Sequence, residues 1–333
     1  MEKIFIVVPN WNGADLIASC LDSLMAQTRK AEIVVVDNGS TDESVAIVAS
    51  RYPAIHLTTL PYNTGFAGGV NAGIRYALEQ GAEAVALFNN DAQASPDWLK
   101  HLAHALEARP SYGITTGKLL SADKKSIDST GDFYTSWGLP YPRGRGELAT
   151  NRYDDDTDVF GASGGASLYR AKMLSEIGLF DEDFFAYYED VDLSFRAQLA
   201  GWKVLYVPAA EAYHLQGATS SGVKGFTTYQ TFKNFPLLFW KNVPLRLLPG
   251  ILVRFKIAYF AIFFSSIRKR RAWPAIKGFL RMLTLFPKKL GQRWHIQKSR
   301  KVSVDYINSI IVHDLPPNAH RLRKLRSFFI RHD

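Results

Sequence analysis

Asp91 closes the run Glu83-Ala84-Val85-Ala86-Leu87-Phe88-Asn89-Asn90-Asp91, in which apolar residues give way to two amides and a carboxylate. A lone carboxylate there can hold a hard divalent cation, which takes oxygen ligands and bridges to phosphates. It can equally N-cap the next helix, whose start is marked again by Ser95-Pro96-Asp97. A second acidic constellation, Glu189-Asp190-Val191-Asp192, is followed by Leu193-Ser194-Phe195-Arg196. On a helix, Asp192 and Arg196 form an i,i+4 pair. Asp190 then points elsewhere and is free to accept a proton, the task of a general base. His214 follows soon after; an imidazole completes many cation sites, although a lone histidine more often serves structure.

Smaller groups surround these two. Asp37 and Asn38 each present an oxygen acceptor that suits the N3–H of a uracil or thymine ring, or they simply form an Asx-Gly turn with Gly39. Asn63-Thr64-Gly65-Phe66-Ala67-Gly68-Gly69-Val70-Asn71-Ala72-Gly73 lets a backbone approach a ligand closely. It has neither the G-x-G-x-x-G spacing of a dinucleotide fold nor the Gly-Lys-Ser/Thr ending of a P-loop. Gly161 to Tyr169 is similarly small and leaves room for a bulky ligand. Gly138 to Gly146 forms a long Gly/Pro/Arg loop, of a length that is usually functional or mobile. The run Asp154-Asp155-Asp156 reads as a solvated loop tip in preference to a metal site.

The elements that must position these residues alternate. Ile4–Val8, Ile33–Val36, Ile55–Leu57 and Ala84–Phe88 read as strands, the last buried on both faces. Helices are expected at about 14–27, with Leu16, Ile17, Cys20, Leu21 and Leu24 in phase, and from the glycine-rich segment to about Gln80. Another should open at Ser40, which has capping-box spacing to Glu43. Short turns between strands and helices predict a parallel sheet covered on both sides. In such sheets ligands gather outside the carboxyl ends of the strands, where Asp37 and Asp91 fall. A later strand, Lys203–Val207, should end at Pro208.

A chain of 333 residues with 47% hydrophobic and 13% aromatic content buries a substantial core and is long enough for two domains. The single cysteine, Cys20, excludes an internal disulfide framework and an all-cysteine metal site, and fits a reducing compartment. Met1-Glu2-Lys3 leads into a short apolar run expected to be a first strand, without the long apolar core of a secretory leader. The net charge of +9 conceals an asymmetry: residues 224–333 hold 23 Lys+Arg against 3 Asp+Glu, whereas residues 1–223 hold 17 against 28. A basic last third points to an anionic partner, membrane or nucleic acid.

Pro9-Asn10-Trp11-Asn12, Val36-Asp37-Asn38-Gly39-Ser40-Thr41-Asp42, Asn63-Thr64-Gly65-Phe66-Ala67, Asn89-Asn90-Asp91, Tyr188-Glu189-Asp190-Val191-Asp192-Leu193 and His214 occur in one order and spacing. Over roughly residues 3–217 they resemble glycosyltransferase family 2, in particular its bacterial rhamnosyltransferase-like members. The resemblance implies an α/β chain with the GT-A type fold, a mostly parallel sheet flanked by helices. It also implies inversion at the anomeric carbon, a nucleotide-diphosphate sugar donor (dTDP- or UDP-linked), and Mg2+ or Mn2+. Carried over residue by residue, it assigns donor binding to Pro9, Asn10, Asp37, Asn38, Asn63, Gly65, Asn71 and Asn90. It assigns the metal to Asp91 with His214, the base to Asp190, and acceptor or structural support to Gly164, Gly165, Glu189, Asp192 and Arg196. Asn89 and Asn38 depart from the family, standing where it commonly has aspartates. The Gln-x-x-Arg-Trp run of processive members is absent from the sequence, which favours one transfer per acceptor.

The resulting expectation is a catalytic domain over 1–223 (donor half about 1–115, acceptor and base half about 116–223), then a basic amphipathic helical region over 224–333. Leu247 to Phe264 is apolar but broken by Arg254 and Lys256, each unfavourable by roughly 2.5–3.5 kcal/mol at a bilayer centre. It reads as an interfacial helix, with a span or re-entrant segment as the alternative. Arg268-Lys269-Arg270-Arg271 and Trp273 then suit an anionic membrane surface. No nucleic-acid motif accompanies the charge. The expected setting is therefore the inner face of a bacterial cytoplasmic membrane, with a saccharide acceptor linked to polyprenyl diphosphate. Two other classes compete. A nucleotidyltransferase would want a basic glycine-rich loop near the N-terminus, and Pro9–Gly13 has no lysine or arginine. A catalytically silent sugar-nucleotide binder would neither hydrolyse nor transfer its donor.

Overall fold

The computed structural model describes residues 1–149, 153–214, 223–317, 319, 322 and 323. Residues 215–222, where the expected catalytic domain ends, lie outside the described residues. The chain divides into two compact units, Met1–Asp132 with Pro142–Lys224, and Phe133–Tyr141 with Gly225–Asp333. The insert 133–141, which the sequence reading left in the catalytic domain, packs with the C-terminal helices.

The first unit begins with alternating elements: β1 (Ile4–Asn10), α1 (Ile17–Met25), β2 (Glu32–Asp37), α2 (Ser44–Arg51), β3 (His56–Thr59), α3 (Gly65–Glu79) and β4 (Ala84–Phe88). Strands β3-β2-β1-β4 pair in parallel. Every residue of β4 is buried, which is why its sequence is a continuous apolar run. Helix α1 buries Ile17, Cys20, Leu21 and Leu24, one face at helical spacing, against this sheet.

Beyond β4 the topology changes. The elements are β5 (Ala92–Ala94), α4 (Trp98–Glu107), β6 (Tyr112–Ser121), β7 (Ile127–Ser129), β8 (Asp132–Tyr134), β9 (Pro140–Pro142), β10 (Thr157–Val159), β11 (Ala166–Arg170), α5 (Ala171–Ile177), α6 (Glu189–Leu199) and β12 (Lys203–His214). Strand β11 inserts antiparallel between β4 and β6, and the sheet order is β10-β12-β6-β11-β4-β1-β2-β3. The sheet is thus mixed, parallel from β3 to β4 and largely antiparallel beyond. Strand β12 does not stop at Pro208. It runs on to His214 through an irregularity between Val207 and Glu211, the kind of place where a strand tolerates proline.

The capping box expected at Ser40 does not form. Helix α2 starts at Ser44, whose N–H is taken by Asp42 at 3.1 Å. Ser40 Oγ instead accepts the Asn12 N–H at 2.9 Å, tying the loop after β2 to the loop after β1.

The second unit is helical: α7 (Phe226–Asn242), α8 (Leu248–Arg268), α9 (Ala272–Lys298) and α10 (Val304–Ile310). Its insert is fixed by β-bridge pairing of Thr135 with Val312, and Gly138 is packed so closely that a Cβ there would collide with the Phe255 ring and touch that of Phe239. Leu245–Arg268 is long and apolar enough to cross a membrane, with a mean hydropathy of 1.8. Only 22% of its most apolar window is buried.

Candidate active site

The parallel strands end level with one another, Asn10 of β1 facing Asp37 of β2 in register. Asn10 is buried and knits three strand ends together. Its Nδ2 donates to Asp37 Oδ1 at 3.1 Å and Ser44 Oγ at 2.9 Å, and its Oδ1 accepts Asn90 Nδ2 at 2.8 Å. Asp37 spends its other oxygen on the Ser40 N–H at 3.1 Å, so each carboxylate oxygen retains a lone pair.

Asn38 differs from its expected role. Its Oδ1 accepts both the N–H and the hydroxyl of Thr64 at 2.8 Å, and its Nδ2 donates to the Gly65 carbonyl at 2.9 Å and Asn63 Oδ1 at 3.3 Å. All four positions of the side-chain amide are occupied in holding the 63–65 loop. Gly65 itself sits at φ +77°, and a Cβ there would meet the Phe185 carbonyl. Pro9 lies partly buried at the same rim. Asn71 is also reassigned. It is buried inside α3, donating to the Phe180 carbonyl (2.8 Å) and Glu182 (2.9 Å) and accepting the Phe180 N–H (3.0 Å). It pins the loop that leads to α6 and is spent on that task.

Asp91 is not a helix cap, since β5 intervenes and α4 begins only at Trp98. Strand β5 pairs antiparallel with the end of β12, setting His214 opposite Ala92 and hence beside Asp91. On its other side β12 pairs with β6, which carries β7 and Asp128. His214 Nε2 lies 3.0 Å from Asp91 Oδ1, and its Nδ1 lies 2.7 Å from Asp128 Oδ2. Burial disfavours the charged ring, but the hydrogen bonds to Asp128 and Asp91 outweigh it and hold the pKa up at about 9. Asn89 Nδ2 is 3.3 Å from the same Nε2.

Asp190 lies in the first turn of α6, where carboxylates meet the positive end of the helix. Phe185, Tyr187 and Tyr188, just before it, all take positive φ, at 64°, 67° and 73°. Left-handed backbone disfavours such side chains by about 1–2 kcal/mol each, so this entry to the helix is held against local preference. The Asp190 carboxylate accepts the Gly164 N–H at 3.2 Å and the Val191 N–H at 2.8 Å. Burial raises its pKa, with those N–H groups opposing the shift. Gly164 is close-packed, and a Cβ there would press on the Phe66 ring at 3.0 Å. Next to it, the Gly165 carbonyl accepts the Asn89 N–H at 2.9 Å. One short backbone segment therefore bonds to Asp190 and to the residue that touches His214, joining both acidic groups.

Three participants were not named as site residues from the sequence, although one of them, Arg145, lies in the long 138–146 loop. Asp128 is buried, bound by His214 on one oxygen and by Arg145 Nη2 at 2.7 Å on the other. Asp132 is buried, and its pKa is pushed up to about 7, first by burial and then by the charge of Asp190. Arg145, from the long loop, lowers the pKa of both Asp132 and Asp190. These residues are separated from their partners by tens of positions, and only the sheet brings them together.

Glu189 is buried, and Asp192 and Arg196 serve the scaffold. Their ion pair is 2.9 Å long and buried, and Arg196 also donates to the carbonyls of Ile177, Gly178 and Leu179. Asp154 and Asp156 are exposed and paired with Lys118 and Arg109, each at 2.9 Å.

Among the described residues no three of His, Cys, Asp and Glu converge as a closed metal cage. The donor set still fits a hard cation. No described residue bonds to Asp91 Oδ2, and His214, whose Nε2 would have to give up its proton to ligate, has its far nitrogen fixed by a carboxylate, the usual support of a metal-bound imidazole. Magnesium and manganese sites of this open kind complete themselves with water and substrate phosphate.

Solved structures with this architecture define its class. GalNAc-T7 with UDP, GalNAc and Mn2+ superposes with a TM-score of 0.58 at 15% identity, covering 72% of this chain and 48% of that one. The chain thus spans about half the length of that protein. S. aureus TarS 1–349 gives a TM-score of 0.54 at 18% identity, over 92% and 90% of the two chains. The architecture is the GT-A fold of glycosyltransferases. A model of glycosyl transferase family 2 matches residues 5–178, just over half of the chain, and the chain belongs to that family. It is 29% identical over 209 residues to the N-acetylglucosaminyl-diphospho-decaprenol L-rhamnosyltransferase of Mycobacterium tuberculosis (strain CDC 1551 / Oshkosh), covering 57% of this chain and 68% of that one. The family match stops short of Asp190 and His214, so their roles rest on geometry.

Proposed function

We propose that this glycosyltransferase moves a single sugar, with inversion, from a nucleotide-diphosphate donor to a hydroxyl of a lipid-linked saccharide. The observation that carries the reading is the hydrogen-bonded path from Asp190 through Gly164 and Gly165 to Asn89, two residues before the Asp91 that pairs with His214. Asp37, with a lone pair left on each oxygen, would take the N3–H of a uracil or thymine ring, and Asn10 and Asn90 would line the ribose and donor sugar. The acceptor oxygen attacks the anomeric carbon as its proton passes to Asp190. The bond from that carbon to the diphosphate oxygen breaks on the opposite face, and nucleoside diphosphate leaves. Asp91 and His214 would hold Mg2+ or Mn2+, which when bound offsets the charge on the departing diphosphate.

The mycobacterial relative, an L-rhamnosyltransferase acting on N-acetylglucosaminyl-diphospho-decaprenol, makes rhamnose and a polyprenyl-diphosphate acceptor the first substrates to try, and dTDP is the first donor nucleotide to test with them. Incubation with a panel of dTDP-, UDP- and GDP-sugars, with and without Mn2+, should give thermal stabilisation and product with one of them. Indifference to every donor would leave a fold without this activity.

The C-terminal unit would dock the enzyme on the inner face of the membrane. Helices α8 and α9 expose Phe260, Phe264, Trp273 and Leu280 beside Arg268-Lys269-Arg270-Arg271. Each basic residue near an anionic surface contributes about 1 kcal/mol. Replacing Phe260 and Phe264 by serine should release the protein from phosphatidylglycerol vesicles in a sedimentation assay. Equal sedimentation of both forms would reject the docking face.

A further inference from the structure

The C-terminal unit holds a concavity of about 820 Å³ between the turn before α8, the last third of α9 and the start of α10. Leu245, Leu290, Trp294 and Val304 form its apolar walls, and Arg246, Arg293, Lys298 and Arg300 also line it. Those four cations face little opposing charge. Arg246 is 3.4 Å from Asp305, with both side chains largely exposed. Among the described residues no carboxylate pairs with Arg293, Lys298 or Arg300.

Two of the cations have a local reason to be there. Lys298 and Arg300 stand at the carboxyl end of α9, where positive charge complements the helix dipole, and the Lys298 ammonium lies 4.7 Å from the Trp294 ring centre. Arg293 does not share that reason. It sits more than a turn inside the helix, its Nη1 donates to the Trp240 carbonyl at 2.8 Å, and its Nη2 is buried with no hydrogen-bond partner among the described residues. Half-buried and lowered in pKa by burial, this residue lines the cavity while its Nη2 is enclosed by the surrounding side chains. A buried donor left unmatched is unfavourable unless an acceptor arrives.

We propose that this pocket binds the phosphate headgroup of an anionic phospholipid. Arg293 and Arg246 would clasp the phosphate oxygens in the paired geometry that guanidinium favours, with Lys298 and Arg300 completing the charge. The walls decide between a lipid and a free anion. Trp294 and Leu245 are 59% and 74% exposed, an arrangement suited to glycerol and the first acyl carbons at headgroup depth. The inference rests on the docking reading above and adds a discrete, saturable headgroup site to it.

The test uses the intact protein and dihexanoyl phosphatidylglycerol below its micelle-forming concentration, followed by calorimetry. Dihexanoyl phosphatidylcholine and inorganic phosphate are the controls. Saturable binding of the anionic lipid is expected, at least tenfold tighter than either control. Arg293→Gln and Lys298→Gln should each weaken it about tenfold or more. Lys298 is exposed, so its variant guards against a folding defect in the other. Binding of phosphatidylcholine as tight as that of phosphatidylglycerol would overturn the proposal, as would unaffected variants. Phosphate binding as tight as the lipid would overturn the lipid assignment. Vesicle sedimentation keeps the two readings apart: wild type that ignores vesicles yet binds the short-chain lipid upholds the pocket while sinking the docking face.

Discussion

Replacing Asp190 by asparagine exchanges one carboxylate oxygen for an amide nitrogen at nearly constant volume. The native carboxylate accepts N–H groups from Gly164 and Val191, one on each oxygen. Asparagine keeps one acceptor and turns a donor toward the other N–H, losing about 1.5–3 kcal/mol for a hydrogen bond to a charged group. An opposite effect offsets this. Burial holds the Asp190 carboxyl above the ordinary aspartate range despite the opposing N–H groups and the Arg145 charge, so ionisation strains the fold. For a carboxyl whose folded pKa is raised, the stability present below its unfolded pKa, about 3.9, is lost as pH rises through the folded value. At pH 8 wild type bears that cost and the amide does not.

The two effects oppose each other, so the variant at pH 8 should lose less than the roughly 3 kcal/mol that the hydrogen bond alone could cost. Catalysis should respond very differently. Losing a general base slows transfer by about 10²–10⁴-fold, or roughly 2.7–5.5 kcal/mol in the barrier. The assay pairs urea unfolding at pH 5 and pH 8 with single-turnover transfer at saturating donor, with donor affinity measured separately. Wild type should lose stability relative to the variant between the two pH values. Turnover within tenfold of wild type would remove Asp190 from the mechanism. Equal losses of activity and stability would make it a structural residue.

Asp192→Asn leaves the buried Arg196 guanidinium without its carboxylate and should lower unfolding stability by about 3–5 kcal/mol; an unchanged urea midpoint would contradict the buried pairing. Asp128→Asn keeps the His214 ring in place but weakens the carboxylate that orients it. Mn2+ affinity, read by titration of donor binding against Mn2+, should fall about 10–100-fold, and an unaltered Mn2+ dependence would show that His214 is not a ligand.

The sequence by itself determined the donor half of the sheet. The unbroken apolar run of β4 and the helical spacing of Ile17, Cys20, Leu21 and Leu24 are local records of which face is buried. Burial repeats with the period of the element, so a single window suffices to read it. The acidic strand end at Asp91 and the i,i+4 pair of Asp192 with Arg196 were legible for the same reason. Tertiary structure alone decided the rest. The insertion of β11 antiparallel between β4 and β6, and the continuation of β12 past Pro208, set His214 between Asp91 and Asp128. It also spent Asn38 and Asn71 on holding loops, though both are the polar residues a binding site would use. Spacing along a chain records the environment of a side chain, while the choice of partner across 86 or 125 positions depends on strand register, which no local pattern encodes.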